Sequence, residues 1–263
     1  MVEKVVIDPP FGSPIVADPT FFPPNNSLDG RFHLFAHSVW GLHHYMSDDG
    51  VNWKNFKFVK AFSIRPFIFK EKDIYYLFYE KLKFIIPLTT IYFSELQVVS
   101  SKDLNNWSKP KTILKPTLSW QGTSVCNPCV VKEKSGFRLY YNANQKYFWD
   151  CFFSEPKYSG QAISKTIDGY YRNVTNAPDE TIHHVLRVVE NNIFETKWYK
   201  DEKGRSRSKV FLNGKDFINP GRGFKKSFIY VCDGKKIGNK MFVYFNSRDG
   251  WFWGKERIGI KII

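Results

Sequence analysis

Short apolar and aromatic runs, each entered through an X-Pro step and separated by polar turns, recur along this chain. The entry steps are Asp18-Pro19-Thr20-Phe21-Phe22, Arg65-Pro66-Phe67-Ile68-Phe69 and Asn127-Pro128-Cys129-Val130-Val131. An aromatic-rich strand follows each one: Phe32 to His37, Tyr75 to Glu80 and Phe137 to Asn142. Each copy closes on a serine six residues ahead of an aromatic, as Ser47 to Trp53, Ser101 to Trp107 and Ser164 to Tyr170. An aspartate lies inside each closing segment: Asp49, Asp103 and Asp168. Repeats of roughly 40–50 residues built from short strands are the signature of a β-propeller, one blade per repeat.

The first strand of such a blade lies innermost and begins at the ligand face, and the second strand returns to that face. Blade one then offers Asp18 and His37, blade two Arg65 and Glu80, and blade three Asn127 and Asn142. The C-terminal remainder reads as two further blades. One is expected to start at His183 to Val189, with a second strand near Phe194 to Tyr199, a polar turn over Asp201 to Arg205 and a third strand at Lys209 to Leu212. The last starts at Ser227 to Val231, continues at Met241 to Asn246 and ends with Glu256 to Ile263. The leftover segment Lys4 to Ile7 closes the ring by pairing beside the C-terminal strands, which removes open edges. The expectation is an all-β, five-bladed β-propeller with residues 1–263 as a single domain.

Composition narrows the partners. Phe, Tyr and Trp make up 18% of the 263 residues, which suits sheets packed face to face. No run of about 18 apolar residues appears, so no membrane span is expected. The N-terminal residues lack a signal-type apolar region, and four cysteines form no disulfide framework, so a cytoplasmic location is the default expectation. The formal charge of +14 suggests nucleic acid, but the lysines are scattered and no binding motif is present. The charge reads as solvated surface, with a local basic pocket for an anionic ligand as the other option.

Asp18 is the sharpest chemical candidate, as a general base holding a water or as a ligand for sugar hydroxyls; a turn that caps the strand entry is the structural alternative. The phrase Ala17-Asp18-Pro19-Thr20, the blade phrases and the Ser-x-Asp-x-x-x-Trp ends resemble the five-bladed glycosidase superfamily of glycoside hydrolase families 43, 32 and 130. That resemblance implies a first-blade Asp as general base, a third-blade Asp that tunes a pKa, and a fourth-blade Glu as general acid. Asp18 stands in the matching phrase, but Asn127 takes the third-blade place, and His183 and His184 stand where the fourth-blade Glu is expected.

Glu155, in Ser154-Glu155-Pro156, is the substitute acid, expected on the connection between the second and third strands of blade three; a surface ion pair is the alternative. Glu80 is a second option, or else a partner for Arg65, since a buried charge needs one. Arg65, Arg248, Lys225, Lys226 and a blade-four histidine would suit free phosphate, an acidic sugar or a phosphosugar. They would otherwise neutralise Asp18, Glu80, Glu155 and Asp249. His37, Asn142 and Asn246 read as hydroxyl-binding groups, with Trp120 or Trp251 for stacking.

Cys126-Asn127-Pro128-Cys129 matches C-x-x-C, but no second pair completes a metal set and strand alternation would separate the two thiols. His43-His44 reads as a loop. No metal and no cofactor are expected. Three functions follow: an inverting glycosidase with Asp18 and Glu155 as its catalytic pair, a phosphorylase using inorganic phosphate, or a catalytically silent sugar-binding propeller of the glycosyltransferase-associated type.

Overall fold

The computed structural model describes residues 2–85, 92–151, 153–180 and 185–263. Strand β1 (Val2–Ile7) opens the chain. Strands β2 (Ala17–Phe22), β3 (Phe32–Ser38), β4 (Gly41–Ser47) and β5 (Lys54–Ala61) form the first blade. The second holds β6 (Ser63–Glu71), β7 (Ile74–Ile85), β8 (Tyr92–Ser101) and β9 (Lys111–Leu114). The third holds β10 (Val125–Glu133), β11 (Gly136–Phe148), β12 (Phe153–Ser164) and β13 (Arg172–Asn173). The fourth holds β14 (Leu186–Val189), β15 (Asn192–Lys200), β16 (Ser206–Leu212) and β17 (Lys215–Ile218). The fifth holds β18 (Phe228–Ile237), β19 (Lys240–Arg248) and β20 (Glu256–Ile262), with β1 added beside β20.

These five sheets are the blades of a five-bladed β-propeller. They divide into two compact units, Met1–Ile64 with Arg187–Ile263, and Arg65–Leu186. The expected pairing of the N-terminal strand beside the last blade is present: Lys4 faces Ile260 and Val5 faces Gly259. No helix among the described residues is long and apolar enough to cross a membrane.

Within a blade, composition follows depth. Every residue of β2 is buried, including Phe21 and Phe22, whereas β5 is largely exposed. Fully burying one such aromatic contributes about 1.5–3 kcal/mol. Lys54, Lys57 and Lys60 on β5 put charge on an outer edge, which discourages pairing with another chain. In the first unit, blades one and five are clasped by one buried carboxylate. Asp233 Oδ2 accepts from Thr20 Oγ1 at 2.8 Å, from the Phe21 amide at 2.9 Å and from Lys235 Nζ at 2.8 Å. Trp53 packs edge-on against Tyr244, whose hydroxyl donates to the Gly50 carbonyl at 2.6 Å.

The repeated serine and aspartate build a turn. Ser47 Oγ donates to Asp49 Oδ1, which also accepts the amides of Val51 at 2.8 Å and Asn52 at 2.7 Å. Ser101 and Asp103 repeat this set with the amides of Asn105 at 2.9 Å and Asn106 at 2.7 Å. These amides hold both carboxyls well below the usual aspartate range. The third copy departs because its aspartate lies four residues after Ser164, not two, and Asp168 instead pairs with Lys111.

Several expectations need correction. His43 and His44 are not in a loop; both are buried in β4, where His44 stacks on Phe35 with ring centroids 4.4 Å apart. Glu155 is not on a connection. It lies in β12, opposite Lys146, because β11 and β12 continue as a long hairpin beyond the blade. Strand β7 likewise runs to Ile85, past the expected end at Glu80. Cys126 and Cys129 do not fall on opposite faces. Cys126 faces Asn142 and Cys129 faces Tyr140, so a bulge absorbs one residue and returns both to the same face. His183 and His184 lie outside the described residues.

Candidate functional site

The X-Pro steps share one backbone feature. Asp18, Arg65 and Asn127 all adopt left-handed backbone, with φ of 54°, 53° and 51°. A side chain with a Cβ rarely takes this conformation, which costs about 1–3 kcal/mol at each such position. In blade one the residues on either side of the step, Ala17 and Thr20, face His37 and Phe35, so Asp18 and Pro19 together oppose one residue. The bulge in blade three is the same. A bulge on an innermost strand re-aims one side chain out of the alternating pattern. In blades one and three the re-aimed residue is polar, and Arg65 keeps the same left-handed backbone in blade two.

The partner positions also match. His37, Asn142 and Asn246 face Ala17, Cys126 and Tyr230, each just before the shift in register. In the first unit, Asn246 Oδ1 accepts the Asp18 amide at 3.1 Å, which holds the strained turn in place. His37 Nδ1 lies 3.3 Å from Asp18 Oδ2, and both side chains are nearly buried. Asp18 is thus a carboxylate fixed by an imidazole on one side and by its own anchored backbone on the other.

The second unit brings together Arg65, Glu80, Tyr92, Cys126 and Glu155. Arg65 Nη1 donates to Glu80 Oε2 and to the Tyr92 hydroxyl, both at 2.7 Å. Glu80 is fully buried. Burial opposes the charge on Arg65, but Tyr92, Glu80, Cys126 and Glu155 outweigh it and hold the guanidinium pKa above its ordinary value. Burial raises the Tyr92 pKa well above its ordinary value despite the opposing pull of Arg65, so Tyr92 keeps its proton. The extended hairpins supply two of these groups: Tyr92 opens β8, and Glu155 sits near the start of β12.

Tyr92 was missed by sequence reasoning, which ended the second strand of blade two at Glu80. Its only signal was an aromatic pair, Tyr92-Phe93, leading back into the blade.

Asn127 is 2% exposed, and its Oδ1 has no hydrogen-bond partner among the described residues. Its Nδ2 makes only a long contact to Cys126 Sγ at 3.9 Å. A buried acceptor left open on a strained bulge is equipped to take a hydroxyl from a ligand. Asn142 is more committed, since its Nδ2 donates to Ser159 Oγ at 2.8 Å.

Other predicted residues are engaged by neighbours in the structure. Asp249 accepts the Lys255 amide at 2.7 Å and pairs with Arg257, so it anchors a loop at the end of β19. Arg248 Nη2 donates to the Phe252 carbonyl in the same loop. Lys225 is engaged by Glu3. Trp251 is held by the Ser206 carbonyl and covered by Arg205, while Trp120 stacks on Tyr141. Among the described residues, no group of three His, Cys, Asp or Glu side chains is placed to hold a metal. All four cysteines are free and buried.

The geometry resembles known structures. A glycoside hydrolase aligns over 98% of this chain and 90% of its own, with 13% identity and a TM-score of 0.67. An exo-1,5-α-L-arabinanase from a bovine ruminal metagenomic library aligns over 92% of each chain, with 13% identity and a TM-score of 0.61. The α-L-arabinanase of Cellvibrio cellulosa, complexed with arabinohexaose, aligns over 97% of this chain and 92% of its own, with 13% identity and a TM-score of 0.57. The likeness is one of fold. No family model and no curated protein sequence matches this chain. The five-bladed fold expected from the repeats is therefore shared with these glycoside hydrolase structures, and fold alone does not assign a function.

Proposed function

We propose that this protein hydrolyses a glycosidic bond by direct displacement. The observation that carries the reading is the left-handed X-Pro step repeated at Asp18, Arg65 and Asn127, which sets a polar residue at the same place on three first strands. Asp18 takes a proton from the attacking water, the water oxygen bonds to the anomeric carbon, and the bond to the leaving oxygen breaks. Glu155 gives that oxygen its proton. His37 positions the Asp18 carboxylate. Asn127, where the resemblance has a second carboxylate, accepts a sugar hydroxyl and cannot titrate. Tyr92 donates to the sugar from beside Arg65, and Glu80 balances the arginine's charge so that it does not claim Glu155. The five blades work as one domain on a carbohydrate substrate.

The test uses sugars with different leaving groups. Removing either carboxyl is expected to cut turnover of natural glycosides about 10²–10⁴-fold. A dinitrophenyl glycoside, whose leaving group needs no proton, should restore turnover in Glu155→Gln but not in Asp18→Asn. Equal rescue of both variants would overturn the assigned roles. Release that requires phosphate would replace hydrolysis by phosphorolysis, and sugar binding without turnover of any glycoside would replace catalysis by recognition.

A further inference from the structure

The first unit carries a cluster of cations that the catalytic reading leaves unused. Arg205, Arg207, Gly221, Arg222, Gly223, Lys226 and Trp251 line a cleft of about 430 Å³, and among the described residues no carboxylate lines it. Two of the cations are fixed. Asp201 Oδ2 accepts from Arg205 Nε at 3.2 Å and Nη2 at 3.1 Å, and from Arg207 Nε at 2.8 Å. The two guanidinium groups lie 4.1 Å and 5.2 Å from the centre of the Trp251 ring, whose Nε1 is tied to the Ser206 carbonyl at 3.0 Å. Arg207 Nη1 also donates to the Lys226 carbonyl at 3.2 Å, joining the start of β16 to the segment that carries Arg222 and Lys226.

The other two cations are uncommitted. Among the described residues, the side chains of Arg222 and Lys226 have no hydrogen-bond or ionic partner, and both are exposed. Asp201 neutralises one charge of four. The guanidinium groups are held in place yet keep donors to spare, since each carries five N–H bonds. A fixed pair of forks beside two free cations is suited to several anionic groups spaced along one ligand, more than to a single ion.

We propose that this cleft binds an acidic polysaccharide, through carboxylates or other anionic groups borne on successive sugars. The choice of a sugar polymer rests on the carbohydrate reading of the active site; the anionic character rests on the cleft alone.

Binding of polygalacturonate, measured by affinity electrophoresis or calorimetry, tests this apart from turnover. Arg222→Glu/Lys226→Glu is expected to weaken binding about tenfold or more, because two attractions become repulsions. Among the described residues neither side chain has a partner to lose, so the fold is expected to stay intact. Lys102→Glu/Lys134→Glu makes the same change in net charge on exposed residues of the other unit and is expected to leave binding unchanged. Equal weakening by both double variants would reduce the effect to overall charge and overturn the proposal. So would equal binding of a neutral arabinan, no binding of polygalacturonate, or tighter binding of a single-stranded DNA oligomer through Arg222 and Lys226. Polygalacturonate binding lost only in the cleft variant, in a protein that turns over no glycoside, would sustain this site and refute the catalytic reading.

Discussion

Two positions repeat in this molecule, and they repeat in opposite ways. The Ser-x-Asp turns of blades one and two keep the same residues and the same bonds, and each aspartate is consumed by the amides of its own turn. The X-Pro bulges keep the same backbone but change the side chain, from Asp18 to Arg65 to Asn127. Constant chemistry with every polar atom satisfied is what a structural device requires. Constant backbone strain under varied polar side chains is what positions kept for ligand contact require. The aspartates of the turns are exposed and spend their carboxylates on their own amides, whereas Asp18 is buried on left-handed backbone with its carboxylate beside His37.

The largest effect expected from that contrast is at Arg65. Arg65→Met strands the buried Glu80 charge and should cost about 3–5 kcal/mol in a urea titration, whereas Arg65→Met/Glu80→Leu should recover most of it. A small loss in the single variant would mean that the pair is more solvated than its geometry shows.

Next comes a buried group outside both repeats. Burial first, then neighbouring His33, holds the pKa of His44 at about 3 instead of 6.5. The unfolded chain takes up a proton below pH 6.5 that the folded chain refuses until about pH 3, so stability is full above that window and falls through it as pH drops. The loss by pH 3 is on the order of 4 kcal/mol, and His44→Gln should flatten the slope without touching turnover at neutral pH. An unchanged slope would remove His44 as its source.

Asp103→Ala should lower stability by about 1 kcal/mol through lost turn bonds, again with turnover intact. The smallest effect has the opposite sign. Asn127→Gly relieves a left-handed residue and should leave stability unchanged or raise it by up to about 1 kcal/mol, while weakening sugar binding. A clear loss of stability there would show that the Asn127 side chain supports the fold.

Much of the fold was legible because the repeats are short and local. Three X-Pro phrases located three blades, and the leftover N-terminal segment had one open edge to fill. The outer strands β5, β9, β13 and β17 were not anticipated, because exposed segments such as Lys54–Ala61 lack a buried face and show little hydrophobic pattern. The candidate residues on the repeated phrases were legible, and those beyond the phrases were not. Asp18, His37, Arg65, Glu80 and Asn127 came from blade phrases, whereas Tyr92 and the true setting of Glu155 depend on hairpins that outgrow the repeat. Alternation misplaced Cys129 relative to Cys126 because one bulged residue inverts every face assignment after it. Asp249 showed the converse, since a carboxylate near a strand end looks the same in sequence whether it meets a ligand or, as here, Arg257.

The most direct test sets one aspartate of each kind against the other. Sugar release from a panel of arabinosides, mannosides, xylosides and galactosides would be compared for the wild type, Asp18→Asn and Asp103→Asn. The bulge account expects turnover to fall about 10²–10⁴-fold in Asp18→Asn and to persist in Asp103→Asn. Turnover that survives in Asp18→Asn, or that falls equally in both, would contradict it.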